Sequence, residues 1–224
     1  MIHLSAFADE ISPDLEEQIA VLHEQNIRWV ELRSVWDTNV LDLSDAQVTR
    51  IIQRFGEERI GVSALGSPLG KVPVDVPWAD ELRRLERAIE LAGRFNTRLI
   101  RIFSFYPPSD PLRQESPAYR ADVMERLHRM ADRAEESGIT LLHENDTDLY
   151  GDTVERCLDV LTTVHSSSVR AAFDPANFIV SGEVPYPDAF EALQSWIAHV
   201  HVKDARPDRT VVAVGEGVAR WPEL

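Results

Sequence analysis

Cysteine is all but missing from this chain. Cys157 stands alone, so no internal disulfide forms and no thiolate cluster is available to a soft metal. It falls in the helical pattern Val154, Cys157, Leu158, Leu161 and reads as a small buried hydrophobe rather than a nucleophile. Long apolar runs are missing too. Nothing approaches the ~18 apolar residues of a membrane span, and Met1-Ile2-His3-Leu4-Ser5 has no basic segment leading into an apolar one, so the expectation is a soluble cytoplasmic protein. Positive charge is scarce: 23 basic residues stand against 38 acidic ones, for a net charge of −15. Such a surface repels phosphate backbones and anionic lipid, which argues against nucleic acid and membranes as partners. No G-x-G-x-x-G turn follows the first strand candidate, and this disfavours a doubly wound dinucleotide fold. Linkers and low-complexity tracts are absent as well, so residues 1–224 read as a single domain.

What the chain does have is alternation. Strand candidates are His3–Ala8, Arg28–Leu32, Ile60–Leu65, Leu99–Phe103, Thr140–Glu144, Val169–Asp174 and Ile197–Val202. Between them lie helical stretches near Pro13–Gln25, Ser44–Phe55, Trp78–Phe95, Pro117–Ser137, Thr153–Val164 and Asp188–Trp196, with leucines and isoleucines three and four residues apart. Ser12-Pro13, Ser44-Asp45 and Asp152-Thr153 have the character of helix N-termini. Strands that each lead into a helical crossover form a parallel sheet. The fold class expected is therefore α/β, a TIM (β/α)8-type barrel. The longest irregular pieces, Gly66–Pro77 and Tyr106–Pro117, both follow strand C-termini, where a barrel carries its active face. At 224 residues the chain is shorter than the roughly 250 of a complete barrel.

Three strands end in chemistry: His143-Glu144-Asn145, Phe173-Asp174-Pro175-Ala176-Asn177, and His199-Val200-His201-Val202-Lys203-Asp204. Parallel strands aim their C-terminal ends at one face, where side chains from different strands converge on one ion. Strand alternation puts His199, His201 and Lys203 on one face, Asp174 above the small Ala172, and Glu144 in line with Leu142. Glu144, Asp174 and His201 are thus candidate ligands of a hard or borderline divalent cation. Taken singly, each has a plainer reading as a helix cap, a solvated charge or a core histidine; the conjunction on three consecutive strands carries the argument. Lys203 and Arg101 are candidates to neutralise a carboxylate, phosphate or enediolate oxygen, and Asn177 to bond a hydroxyl. His143 faces away from Glu144 along a regular strand and reads as a supporting residue. Glu31 and Arg33 read equally as an ion pair or as substrate contacts. Ser67, Gly70 and Lys71 form either an anion-binding loop or a plain turn.

These residues carry a resemblance. Phe7-Ala8-Asp9-Glu10-Ile11-Ser12, Val30-Glu31-Leu32-Arg33-Ser34, Gly66-Ser67-Pro68-Leu69-Gly70-Lys71, the three strand ends and Gly215-Glu216-Gly217 resemble the sugar phosphate isomerase/epimerase group of the xylose-isomerase-like TIM-barrel superfamily. The resemblance covers nearly the whole chain. It implies a manganese, magnesium, cobalt or zinc ion held by Glu144, Asp174 and His201, with Mn2+ or Mg2+ foremost. It also implies a fourth, glutamate ligand on an eighth strand, and the chain stops at Leu224 in what should be the helix before that strand. An incomplete site is therefore expected, in which Glu144 removes a proton next to a carbonyl and the opposed glutamate is replaced, if at all, by Glu216, another subunit or the tail. A barrel short of its last strand and helix exposes edges, and a homo-oligomer that covers them is one expectation. The function implied is a metal-dependent isomerase or epimerase of a small sugar or sugar-phosphate-like polyol. The alternatives are a keto-sugar, inosose or dehydroshikimate-type dehydratase, or a non-catalytic barrel that keeps a metal or ligand site.

Overall fold

The computed structural model describes residues 2–110 and 117–224. Its backbone divides into two compact units, Met1–Ser67 with Leu82–Arg101, and Pro68–Glu81 with Ile102–Leu224. Among the described residues, no helix is long and apolar enough to cross a membrane.

In the first unit, helix α1 (Leu15–Glu24) starts where the Asp14 carboxylate accepts from the N–H groups of Glu16 and Glu17. This satisfies two of the donors that a helix start leaves open. Strand β1 (Trp29–Leu32) leads into a small hairpin, β2 (Ser34–Val35) and β3 (Thr38–Asn39). Helix α2 (Asp45–Glu58) opens on a capping box between Ser44 and Gln47. Strand β4 (Gly61–Leu69) runs parallel to β1, pairing Val30 with Val62 and Leu32 with Leu65, with a register shift between Val30 and Glu31. The bare backbone of Gly61 lies under the exposed Trp29 ring, which would have to shift for a Cβ placed 2.4 Å from it. Helix α3 (Trp78–Arg94), which enters this unit at Leu82, and strand β5 (Leu99–Ile102) follow, and β5 lies beside β4. Leu15, Ile19, Leu22, Val48, Ile51 and Phe55 of the helices and Val30, Leu32, Val62 and Ala64 of the strands are all buried, each large side chain contributing about 1.5–3 kcal/mol by leaving water.

The second unit carries α4 (Pro117–Ser137), β6 (Thr140–Glu144), α5 (Val154–Val164), β7 (Val169–Phe173), α6 (Pro175–Ser181), α7 (Phe190–Leu193) and β8 (Ile197–Val200), and then the short antiparallel pair β9 (Asp204–Ala205) and β10 (Val211–Val212). Strands β6, β7 and β8 are parallel, with Glu144 opposite Ala172 and Ala172 opposite His199. The His201 N–H donates to the Phe173 carbonyl at 2.9 Å, so the ladder reaches one residue past β8. Leu127, Met130, Ala131 and Ala134 of α4, together with Val160 and Leu161 of α5, are buried with Leu141, Leu142 and Phe173.

Four sequence expectations need correction. His3–Ala8 is no strand; only Ala6 bridges to Val30, while Ile2 and Leu4 are 95% and 71% exposed and a 3-10 turn takes over at Ala8. The Gly66–Pro77 loop begins later, since β4 continues to Leu69. The helix expected at Asp188–Trp196 shrinks to α7, preceded by a wide turn at Pro185–Ala189. Helix α6 and the β2–β3 hairpin were not expected at all. The Tyr106–Pro117 loop lies outside the described residues over 111–116.

Candidate metal centre

Glu144 closes β6, Asp174 follows β7, and His201 and Lys203 follow β8, all in the second unit. The connection from β7 to α6 fixes Asp174. Its Oδ1 accepts from the Asn177 N–H at 3.0 Å as the N-cap of α6, and Pro175 sits at the first helical position, where its missing N–H costs nothing. Asn145 ties the ends of β6 and β7 together. Its Nδ2 donates to the Asp174 carbonyl, and its Oδ1 accepts from the Asp174 N–H, both at 2.9 Å. Asn177 Nδ2 in turn donates to the Asn145 carbonyl at 2.8 Å and reaches Glu144 Oε1 at 3.4 Å.

The side chains then converge. His201 Nδ1 lies 2.9 Å from Glu144 Oε1 and 3.7 Å from Asp174 Oδ2. Lys203 Nζ stands 2.8 Å from Asp174 Oδ2 and 4.0 Å from Glu144 Oε1. Glu144, Asp174 and His201 are all buried, and each offers one ligand atom within 4.8 Å of the others. Bonds of about 2.1 Å around one ion separate ligand atoms by roughly 3 to 4.2 Å, so the donor set fits a hard or borderline divalent cation in both chemistry and span. Burial strengthens any charge placed there, because the surrounding dielectric is low.

His143, one residue before Glu144, is wholly buried; desolvation pushes its imidazole down to about 4, against a partial counter-effect of Glu144, so the ring is neutral. It packs against Gly151, where an added Cβ would meet the ring at 2.6 Å. Cys157 is buried and its thiol is pushed up by desolvation, which makes it an inert packing residue.

The other sequence candidates sit as follows. Lys71 pairs with Asp146 and lies 4.8 Å over the Phe103 ring, so it stands beside the loop that follows Glu144. Gly70 before it has φ +76°, and a Cβ there would meet the Phe103 carbonyl at 2.1 Å. Glu216 is exposed and faces Arg206 at 3.5 Å. Arg101, in the first unit, is buried with its guanidinium on the carbonyls of Gly66 and Ser67 and over the Phe7 ring. Arg33 pairs with Asp9 at 2.6 Å and Glu10 at 3.2 Å, and Glu31 is buried in β1. Sequence reasoning missed the bridging role of Asn145 and the part played by Asp204. The Asp204 carboxylate accepts four backbone N–H bonds, from Ala205, Gly215, Gly217 and Ala219, at 2.9–3.1 Å. The paired glycines of Gly215-Glu216-Gly217 were the available signal, since a Cβ at Gly217 would lie 2.1 Å from Asp204 Oδ1.

Comparison with known proteins follows the same lines. The family model described as xylose isomerase-like TIM barrel matches residues 19–224. The crystal structure of the probable 3-DHS dehydratase AsbF of Bacillus anthracis, involved in petrobactin synthesis, superposes with a TM-score of 0.80 at 19% identity, over 99% of this chain and 87% of that one. A xylose isomerase-like TIM barrel protein from Mycobacterium smegmatis in complex with magnesium gives 0.72 at 16% identity, over 92% and 74% of the two chains. The 3-keto-D-glucoside 4-epimerase YcjR of E. coli gives 0.71 at 15% identity, over 99% and 84%. No curated protein matches the chain. These likenesses establish the fold as α/β of the TIM-barrel type.

Proposed function

The chain belongs to the xylose isomerase-like TIM barrel family, and from that premise we propose that it is a divalent-metal-dependent isomerase or epimerase acting on a small sugar or sugar-phosphate-like polyol by proton abstraction next to a carbonyl. The observation that carries this reading is the buried convergence of Glu144, Asp174 and His201. These three would hold the ion, with Mn2+ or Mg2+ foremost and Co2+ or Zn2+ suited to the same donors. When bound, the metal supplies Lewis-acid polarisation of the substrate carbonyl.

The rest is done by the chain itself. Glu144 is the general base: its carboxylate is buried at the end of β6, with Asn177 Nδ2 at 3.4 Å, which limits its reorganisation on meeting the substrate carbon. Lys203 places an ammonium beside the two carboxylates, where it neutralises a developing oxyanion. Asn177 orients a hydroxyl. Arg101, Glu31, Arg33, Lys71 and Glu216 are assigned to substrate contacts on the sequence reading alone. The acidic surface suits a small-molecule substrate and not nucleic acid.

A dehydratase is the second reading, supported by the likeness to AsbF. The same base and ion would serve it, with water expelled after the proton is taken.

The test begins with Mn2+ calorimetry on the wild type, Glu144→Gln and His201→Ala. Stoichiometric binding in the wild type, weakened at least tenfold in both variants, is the expected result. Turnover is then followed by mass and by deuterium exchange at the carbon next to the carbonyl: an epimerase conserves mass and a dehydratase loses water. A folded wild type that neither binds Mn2+ nor exchanges deuterium across a panel of keto-sugars overturns the reading and leaves the non-catalytic barrel in its place.

A further inference from the structure

We propose that the first unit carries a binding site of its own, a cavity between the β2–β3 turn and the first turns of α2 that takes a single-ring carboxylate. The ring lies against the Trp36 indole and the carboxylate on the Arg50 guanidinium. The site goes beyond the isomerase reading and does not depend on a metal.

The cavity holds about 400 Å³ and is lined by Trp36, Ala46, Gln47 and Arg50, a volume in the range of small-molecule sites. Trp36 occupies the two-residue turn at φ +55°, a conformation that is strained for a bulky side chain and persists only where the surroundings fix it. Here they do: the Trp36 N–H donates to the Pro13 carbonyl at 2.6 Å, and the Trp36 carbonyl accepts from Thr38 Oγ1 at 3.2 Å. Arg50 stands over the ring, its guanidinium carbon 5.2 Å from the centroid. Among the described residues it forms no ion pair. Glu16, whose carboxylate feels its charge, is held by Arg54 at 2.7 Å, and Asp45 is held by Arg94 at 2.8 Å. Asp37, next along the turn, does not line the cavity. Gln47 is oriented by the capping box, its Oε1 accepting from the N–H and the hydroxyl of Ser44 at 2.9 and 2.8 Å. Its acceptor is thereby spent on the helix end, and its NH2 remains as a donor for the cavity.

The lining selects the ligand. Both polar side chains offer donors, and the remaining walls are the indole and the Ala46 methyl. A sugar hydroxyl needs acceptors as well as donors, and these side chains leave none for it. A carboxylate brings acceptors only and meets the guanidinium through two parallel N–H bonds. A planar ring attached to it packs on the indole, stacked or edge-on. In a chain of net charge −15, a guanidinium without a carboxylate of its own is a place where a small anion is attracted rather than repelled.

The experiment is an NMR titration of the nitrogen-15-labelled protein with benzoate in metal-free buffer, read on the indole N–H signals of its five tryptophans. Trp36→Phe identifies the Trp36 signal by its disappearance. That signal should shift saturably, with a dissociation constant of about 1 mM for so small a ligand. The same titration is then run with acetate, which lacks the ring, with benzyl alcohol, which lacks the charge, and with methyl glucoside as a neutral sugar. Each of the three is expected to bind at least tenfold more weakly than benzoate. Arg50→Gln and Gln47→Glu should each lose at least tenfold in benzoate affinity; Gln47→Glu keeps the capping box while exchanging the donor for a carboxylate. Circular dichroism verifies the fold of each variant. Undiminished benzoate binding in folded Arg50→Gln, acetate, benzyl alcohol or methyl glucoside binding as tightly as benzoate, or a Trp36 signal that does not shift overturns the inference. Because no metal is present, each of these results leaves the metal reading where it stood.

Discussion

Asn145 links the two carboxylates more firmly than either ligand does by itself. Its amide makes a reciprocal pair with the backbone of Asp174 at 2.9 Å, and its carbonyl holds Asn177. Replacing it with alanine leaves the buried N–H of Asp174 without its partner, while the Asp174 carbonyl keeps the Phe178 N–H at 3.3 Å. The cost is about 1–3 kcal/mol at the usual penalty for an orphaned polar group. Urea unfolding of Asn145→Ala should show that loss as a lower midpoint at unchanged slope, and Mn2+ affinity should fall with it because Asp174 is no longer registered against Glu144. A midpoint within the error of the wild type sinks this account. The sequence showed Asn145 only as the residue after Glu144, since a side chain that bonds the neighbouring strand's backbone leaves no periodic trace.

At the level of elements, the Asp204 carboxylate clamps Gly215–Ala219 onto β9 through four N–H donors. Burial by itself would raise this carboxyl, but the bonds from Ala219, Gly215, Ala205 and Gly217 outweigh it and hold it below the ordinary 3.8. A depressed carboxyl contributes its full stabilisation above the unfolded value and loses it as pH falls through its own lower one. Asp204→Asn should therefore cost about 2–4 kcal/mol at pH 7 and unfold with a shallower acid dependence than the wild type below pH 4. Parallel acid slopes for the two proteins would count against the clamp. Other elements were read with varying success. Strand β6 and helix α4 match their expected ranges to the residue, because hydrophobic period and length agree there. Helix α6 was missed although Asp174-Pro175 marks its start and Gly182, at φ +87°, its end; at seven residues it has too few turns to show a period. The β2–β3 hairpin was hidden because Trp36 and Asp37, both at φ +55°, occupy a turn where asparagine and glycine are the usual signal. Gly66 and Pro68 read as loop residues yet lie inside β4, where Gly66 is needed because a Cβ would come within 2.9 Å of Arg33 Cβ.

For the molecule as a whole, a net charge of −15 means self-repulsion in the compact state. Screening relieves it: the Debye length falls from about 30 Å at 0.01 M salt to about 8 Å at 0.15 M. Exposed pairs such as Arg54–Glu57 and Arg133–Glu136 weaken over the same range, but each is worth only about 0–1 kcal/mol. The thermal midpoint should accordingly rise by a few degrees between 0.01 and 0.15 M NaCl, and a fall would mean that local pairing outweighs the global field. Mn2+ should act differently, raising stability by about 2.7 kcal/mol at a hundred times its dissociation constant, with added hydrogen-exchange protection centred on β6, β7 and residues 199–204. Protection spread evenly along the chain would speak against a single site there. The divided duty of Asp174, one oxygen capping α6 and the other facing the cation site, finally bears on how this lineage is to be read. A descendant that gives up its ion still needs the helix, so an acidic residue at this position is not in itself a mark of activity. Asparagine caps equally well and carries no charge; its appearance here in a homologue would preserve the architecture while retiring the chemistry, and would date that loss before any decay of the fold.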